Sequence, residues 1–156
     1  MNTNYLIREA TTGDLSILLD FEQALISFER PFGPHFRDGK ISYYDINAYI
    51  KDPSICLVVA EKENKIVGSG YALIKENKPY KTPSNYVYLG FMYVLPEFRR
   101  QGINHLVMNF LFDWGKQQGY TEFQLEVFAE NFNAINAYKK LGFSSEFLTM
   151  RINTES

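Results

Sequence analysis

The chain contains 156 residues, of which 46% are hydrophobic and 16% are aromatic. A domain of this length buries about two-thirds of the surface that its unfolded chain exposes, so we expect one compact domain over residues 1–156. This composition excludes an intrinsically disordered protein. The formal net charge of −2 provides no overall attraction to nucleic acids or anionic membranes, and we expect neither as a partner.

Three further features limit the location and the chemistry of the protein. No apolar run approaches the roughly 18 residues of a membrane-spanning helix, and no signal-peptide pattern is present at residues 1–20, so we expect a cytoplasmic protein. The single cysteine, Cys56, lies in an apolar run, which predicts a buried thiol rather than a nucleophile. The two histidines, His35 and His105, lack the spacing of metal ligands, and we expect no metal.

The first half of the chain predicts one strand, then two helices, then two strands. Apolar residues recur at helical spacing between Leu15 and Phe28, whereas two prolines and two glycines in 30–42 indicate a loop. The predicted elements are a strand over 5–8, a helix that begins after the capping residues 11–14, a short helix over 43–51, and strands over 55–61 and 66–75.

The second half continues this pattern after a polar loop over 75–85. The predicted elements are a strand over 86–94, a helix over 103–114 that Gly119 ends, a strand over 123–128, a helix over 131–141, and one or two strands over 143–152. Three consecutive strands in the middle indicate an antiparallel meander, and the helix after them indicates a crossover to a parallel neighbour. The fold class is therefore mixed α/β (α+β).

Residues 99–104 predict an anion-binding site. Their sequence, RRQGIN, joins the predicted strand over 86–94 to the next helix. A helix that begins in this way presents free backbone N–H groups at the positive end of its dipole, which suits a phosphorylated ligand. A dinucleotide loop at 68–70 is less plausible, because Leu73 stands where glycine or alanine is needed and the segment continues as a strand.

Two spaced motifs occur in the second half of the chain. The first contains Arg99, Gly102 and Asn104, and the second contains Asn131, Ala134, Tyr138, Lys140, Gly142 and Phe143. Together they resemble the two signatures of the GNAT superfamily of acyl-CoA N-acyltransferases, except that Asn104 stands where the first signature has glycine or alanine. The resemblance covers essentially the whole chain. It implies a mixed, mostly antiparallel sheet of six to seven strands flanked by four helices, with a splay between the fourth and fifth strands.

The resemblance further implies acetyl-CoA as co-substrate. The backbone of residues 100–104 would hold its pyrophosphate, the strand end at 92–94 would pair with its pantetheine arm, and an N–H at or next to Val94 would meet the thioester carbonyl. The residues that the resemblance assigns to co-substrate binding are Met92, Tyr93, Val94, Arg99, Arg100, Gln101, Gly102, Ile103, Asn104, Asn131, Ala134 and Tyr138.

The resemblance also suggests catalytic roles. Tyr138 is expected to be the acid that serves the departing thiolate, although an aromatic residue at this spacing could simply pack against the sheet. Glu126 is the candidate base, because its spacing to Asn131 and Tyr138 is similar to that in the branch that acetylates the N-terminal alanines of ribosomal proteins. A solvent-facing or structural role for Glu126 stays open. Glu22 and Glu29 are weaker candidates and are expected to be surface charges.

The sequence therefore predicts an N-acetyltransferase in which a primary amine attacks the thioester directly. The acceptor is a small molecule or the amine of a peptide or protein, and the protein is a monomer or a homodimer. The position of Cys56 in an apolar strand argues against a covalent acyl-enzyme. The alternative is a non-catalytic acyl-CoA-binding regulatory module on the same fold, against which the presence of Tyr138 argues.

Overall fold

A computed structural model describes residues 4–155 of the protein. Its strands are β1 (Leu6–Glu9), β2 (Ile55–Lys62), β3 (Lys65–Glu76), β4 (Asn85–Val94) and β5 (Phe123–Gln124). Its α-helices are α1 (Leu15–Glu29), α2 (Ile46–Lys51), α3 (Ile103–Gln117) and α4 (Phe132–Lys140). Short 3₁₀ turns occupy Thr12–Asp14, Arg30–Phe32 and Pro96–Phe98. Within residues 4–155, no helix is long and apolar enough to span a membrane.

The strands form one sheet in the order β1-β2-β3-β4-β5. Strands β1 to β4 pair in antiparallel fashion, which confirms the predicted meander. Strand β5 pairs with β4 in parallel, as expected for a strand that follows a crossover helix. The order of elements up to α4 and the number of α-helices in the described residues agree with the sequence-based prediction.

The end of the sheet differs from the prediction. Strand β5 has two residues instead of the six expected over 123–128, and residues 143–152 form no strand, so the described sheet has five strands rather than six or seven. Because β5 has only two residues, its outer edge is too short for residues 143–152 to pair with it as a further strand. Apolar residues of the last segment, including Met150 at 84% and Ile152 at 88% exposure, consequently face solvent.

Helices cover both faces of the sheet. Helices α1 and α2 place Leu18, Phe21 and Ile46 against one face, where they pack with Leu57, Val59, Tyr71, Phe91 and Tyr93. Helix α3 places Ile103, Val107, Met108 and Leu111 against the other face, and Tyr138 of α4 packs at the edge of this second cluster. Cys56 belongs to the second cluster with no exposed surface, which confirms the predicted burial of its thiol.

A bulge interrupts β4 shortly before its end. Tyr71 pairs with Gly90 and Ser69 with Tyr93, so two residues of β4 oppose one residue of β3. Phe91, inside the bulge, has φ of 56°, and its carbonyl accepts a hydrogen bond from Ser69 Oγ at 2.9 Å. Gly90 is required there because a Cβ would lie 2.5 Å from the Tyr71 ring. A bulge bends its strand, and this one reorients the last residues of β4.

Candidate active site

The turn before α3 presents backbone donors to solvent. Arg100 and Gly102 have φ of 65° and 83°, and Gly102 forms the N-cap of α3 without a side-chain capping bond. Apart from Gly102 and its two chain neighbours, no atom of residues 4–155 lies within 4 Å of the position that a Cβ on Gly102 would occupy. The first amides of a helix have no partner within the helix. The turn therefore offers an open cradle that fits a phosphate group, as the sequence predicts.

The other predicted residues of this turn hold it in place or begin the helix. Ile103 is 1% exposed and anchors the start of α3 in the core, whereas Asn104 lies in regular helix one residue further on. The Gln101 side chain accepts a hydrogen bond from the hydroxyl of Tyr5, just before β1. Arg99 stacks over the rings of Phe28 and Tyr93, at 6.0 and 5.7 Å from their centroids.

The end of β4 has a free edge on the side away from β3. Strand β5 pairs with β4 only at Val87 and Tyr88, so no described strand accompanies the residues from 89 to 94 on that side. The amide of Leu95 donates to Val67 O at 2.9 Å. Because successive amides of an extended chain point to opposite edges, the Val94 N–H faces the free edge. Arg99 Nε donates to Val94 O from this side at 2.9 Å.

Helix α4 brings the residues of the second motif together. Asn131 is the N-cap of α4, 7% exposed, and its Oδ1 accepts a hydrogen bond from the amide of Ala134 at 3.3 Å. Tyr138 lies two turns further along the helix, with its ring 5.8 Å from that of Phe143. Burial, and second the charge of Glu29, raise the pKa of the Tyr138 phenol to about 12.

Glu126 follows β5 and is exposed. Its Oε1 accepts a hydrogen bond from the hydroxyl of Tyr88 on β4 at 3.2 Å. This bond crosses from β4 to the chain after β5, beyond the point where the two strands stop pairing. Among the described residues no hydrogen bond or ion pair joins Glu126 to Tyr138. The predicted base and the predicted acid are thus held by different neighbours.

The prediction that Glu22 and Glu29 are surface charges is wrong. Glu22 is 1% exposed, and its Oε2 accepts hydrogen bonds from the amides of Tyr43 and Tyr44, each at 2.8 Å. Glu29 is partly buried and its Oε1 accepts a hydrogen bond from the Tyr43 hydroxyl at 2.8 Å. The signal was present in the sequence, because both glutamates follow the buried Leu18 at helical spacing and so share its face.

These parts suit one kind of ligand. The cradle at Gly102 lies at the start of α3, and the free edge of β4 leads up to it through residues 89–98. Phosphate at the first and a linear amide-containing chain along the second would engage both sets of backbone donors at once. The fold and the site therefore fit an elongated, phosphorylated ligand that lies along the free edge of β4.

Comparison of the sequence with models of known protein families identifies the family of this chain. The model of the acetyltransferase (GNAT) family matches residues 21–143, which is most of the chain. The protein belongs to the GNAT family of acetyltransferases. The resemblance seen in the two sequence motifs is thereby confirmed.

The individual proteins that the chain resembles have less than 30% sequence identity to it. N-acetyltransferase 8 of Homo sapiens is 29% identical over 96 residues, which cover 62% of this chain and 41% of the human protein; the match thus spans less than half of the human protein. A tetramutant of the BH1408 protein from Bacillus halodurans has a TM-score of 0.83 at 21% identity, covering 95% of this chain and 99% of that one. A predicted acetyltransferase from Clostridium acetobutylicum, solved with acetyl-CoA, has a TM-score of 0.72 at 20% identity and covers 96% of both chains. At these identities the two structures share the fold.

Proposed function

We propose that the protein is a single-domain N-acetyltransferase that transfers the acetyl group of acetyl-CoA directly to a primary amine. Acetyl-CoA, when bound, supplies the acetyl group as a thioester. The acceptor is a small-molecule amine or the amine of a peptide or protein. The observation that carries this proposal is the open cradle at Gly102, which continues into the free edge of β4, in a chain of the acetyltransferase family.

Each part of the site has a distinct task in this proposal. The backbone of residues 100–104 holds the pyrophosphate, and residues 92–94 bind the pantetheine arm through their main chain. The Val94 N–H is the donor for the thioester carbonyl, an interaction of the kind whose removal costs about 3 kcal/mol in other enzymes. Asn131 binds the arm through its Nδ2 group, since its Oδ1 caps α4.

Two side chains are assigned to the chemical step. Tyr138 donates a hydrogen bond to the departing sulfur, and Glu126 is the base that receives the proton of the amine. A buried Cys56, whose pKa burial raises to about 12, is a poor nucleophile. This supports direct attack by the amine over a covalent acyl-enzyme.

The experiment that tests the proposal is an amine-dependent release of coenzyme A thiol. The purified chain is incubated with acetyl-CoA and a panel of primary amines, N-terminal peptides and lysine peptides. We expect at least one acceptor to raise thiol release well above the hydrolysis rate without amine. Binding of acetyl-CoA without turnover on any acceptor would instead support the non-catalytic module, and absence of binding would contradict both.

A further inference from the structure

Glu29 is a partly buried carboxylate at the last residue of α1. The two ion pairs recorded within residues 4–155 both belong to Arg8, so Glu29 has no cationic partner there. The adjacent cation, Arg30, is engaged elsewhere, because it donates to Arg37 O at 2.9 Å and to Gly39 O. Carboxylates removed from water are normally paired with a cation or with several donors. Glu29 has one, the Tyr43 hydroxyl at 2.8 Å.

Glu22, in the same helix, is a buried carboxylate with two hydrogen-bond donors. It lies two turns earlier on the same face as Glu29, and two backbone amides donate to its Oε2. Those bonds tie residues 43 and 44 to α1 and thereby position Tyr43. Glu22 therefore has a structural role. Glu29, which accepts only the Tyr43 hydrogen bond, can accept further hydrogen bonds from a ligand.

The surroundings of Glu29 connect it to the proposed reaction site. Its charge acts on the Tyr138 phenol, and the neighbouring Phe28 lies against the Arg99 guanidinium of the cradle. Tyr43 also lines an open groove of about 650 Å³ along residues 35–43. Tyr43, whose hydroxyl donates to Glu29, is therefore one of the residues that line this groove.

Aromatic rings pack around Tyr43, the hydrogen-bond partner of this carboxylate, and next to Glu29 in the chain. Phe28 is 49% exposed and packs 5.7 Å from the ring of Phe32. Phe36 packs 6.0 Å from the ring of Tyr43 and 5.8 Å from that of Phe128. Aromatic faces attract cations and bury apolar groups, and the C-terminal end of α1 favours positive charge as well.

We propose that Glu29, with Tyr43, binds the ammonium group of the acceptor, and that the acceptor is a primary amine carried on an aromatic or similarly apolar body. The proposal rests on the proposed function, because it identifies the acceptor side of the same site. Glu29 contributes the negative charge, and the Tyr43 hydroxyl orients the Glu29 carboxylate. The aromatic rings select the body of the ligand, so small polar amines such as ethanolamine bind less well than arylalkylamines.

The pH dependence of this binding has a defined sign. Burial raises the pKa of Glu29, with the Tyr43 hydrogen bond acting in the opposite direction. The Glu29 charge acts on Tyr43 and Tyr44 of the loop and on Tyr138 of α4, and Glu22 and Arg30 also act on Tyr43. The other charged or titratable residues along the groove that Tyr43 lines are His35, Arg37, Asp38 and Lys40. Binding of an ammonium ion requires the ionised carboxylate. Affinity is therefore lost as the pH falls through the raised pKa of Glu29, above the value of about 4.3 for an ordinary glutamate.

The test measures binding of 2-phenylethylamine to the full chain saturated with coenzyme A, by isothermal titration calorimetry. The uncharged analogue 2-phenylethanol is the ligand control. Glu29→Gln should weaken binding of the amine about tenfold or more and leave the alcohol unaffected. Tyr43→Phe should have a smaller effect in the same direction. Asp20→Asn, which removes one exposed charge from the same helix, should leave the affinity unchanged.

The outcomes separate this site from the proposed function. Equal binding of the amine to Glu29→Gln and Asp20→Asn, or no preference of the wild type for the amine over the alcohol, overturns the Glu29 site. A thermal midpoint that is unchanged or higher in Glu29→Gln rules out a merely structural role, because loss of a structural carboxylate lowers it. Absence of acetyl transfer to every amine overturns the proposed function, and calorimetry still decides the Glu29 site.

Discussion

At the scale of single residues, the Tyr138 phenol has the clearest chemical signature. Its pKa of about 12, raised by burial and by the Glu29 charge, keeps it protonated at every physiological pH. Complete transfer of that proton to a thiolate of pKa near 8.5 is uphill by about 5 kcal/mol. Tyr138 therefore acts as a hydrogen-bond donor to the sulfur. An ammonium group on Glu29 would remove one of the two causes of the raised pKa and strengthen this donor.

Tyr138→Phe removes the donor and keeps the ring. We expect kcat to fall about 100-fold, in the range for removal of one hydrogen-bond donor to developing charge, with little change in the affinity for acetyl-CoA. Thiol release measures the first and calorimetry the second. Tyr120→Phe is the matched control, since it removes a partly buried phenol hydroxyl at the far end of α3. Unchanged turnover in Tyr138→Phe would exclude the hydroxyl from the reaction.

Glu126→Gln tests the base. If Glu126 receives the amine proton, the variant should lower kcat and abolish or shift the acidic limb of the pH–rate profile. The measurement is kcat from pH 5 to 9 with one acceptor. Glu130→Gln, an exposed carboxyl four residues later, controls for the change of charge. An acidic limb identical to that of the wild type would leave water or another group as the base.

At the scale of elements, the start of α3 depends on backbone conformation. Gly102 adopts φ of 83° and Gly119, just beyond the other end of the helix, adopts φ of 92°. A side chain at either position costs about 1 kcal/mol, because the left-handed region is unfavourable for L-residues. The two glycines are thus equivalent in strain and differ in that the first faces the proposed phosphate site.

Gly102→Ala should weaken coenzyme A binding about tenfold, because the added methyl and the strained turn disturb the amides that hold the pyrophosphate. Gly119→Ala should reduce stability by a similar amount, about 1 kcal/mol, and leave coenzyme A affinity unchanged. Calorimetry with coenzyme A and urea unfolding measure these two quantities. Equal affinities in the two variants would argue against phosphate binding at Gly102.

At the scale of the whole molecule, Arg8 joins three segments of the fold. Its guanidinium donates to Asp14 at 2.9 and 3.0 Å and to Glu61 of β2 at 3.0 Å. Asp14 also accepts a hydrogen bond from the amide of Thr11 at 2.8 Å, which closes the turn before α1. The Arg8 hydrogen bonds are the largest cause of the lowered pKa of Asp14. A carboxyl with a lowered pKa stabilises the fold above its unfolded pKa, near 4, and this stability is lost as the pH falls through the folded value.

Arg8→Ala should reduce the free energy of unfolding at pH 7 by about 2 kcal/mol, because it leaves two carboxylates without their cation. The difference from wild type should shrink as the pH falls from about 4, the unfolded value, through the lowered pKa of folded Asp14, because a protonated Asp14 no longer benefits from Arg8. Urea unfolding at pH 7 and pH 3 measures both values. Arg37→Ala removes an exposed arginine and should change neither, whereas a constant difference across this pH range would contradict the role of Asp14.

The sequence predicted the local backbone features on which the candidate site depends. The turn at Gly102 and a helix that begins near residue 131 follow from short motifs, because a helix terminus is formed by residues within one turn of it. The capping role of Asn131 was found only in the structure. The order of elements up to α4 was predicted for the same reason, since helix and strand periodicities are read over a few consecutive residues. The meander and the parallel crossover followed from that order.

Contacts between distant segments were decided by the tertiary structure alone. Spacing predicted strands over 123–128 and 143–152, but a strand exists only where a partner edge is available, and β5 stops pairing at Gln124. The bulge at Phe91 likewise depends on how β3 meets β4. Glu22 and Glu29 look alike in sequence, and only the fold gives one two amides and the other a single hydroxyl. The environment of a charge is set by neighbours far along the chain, and local sequence patterns do not contain them.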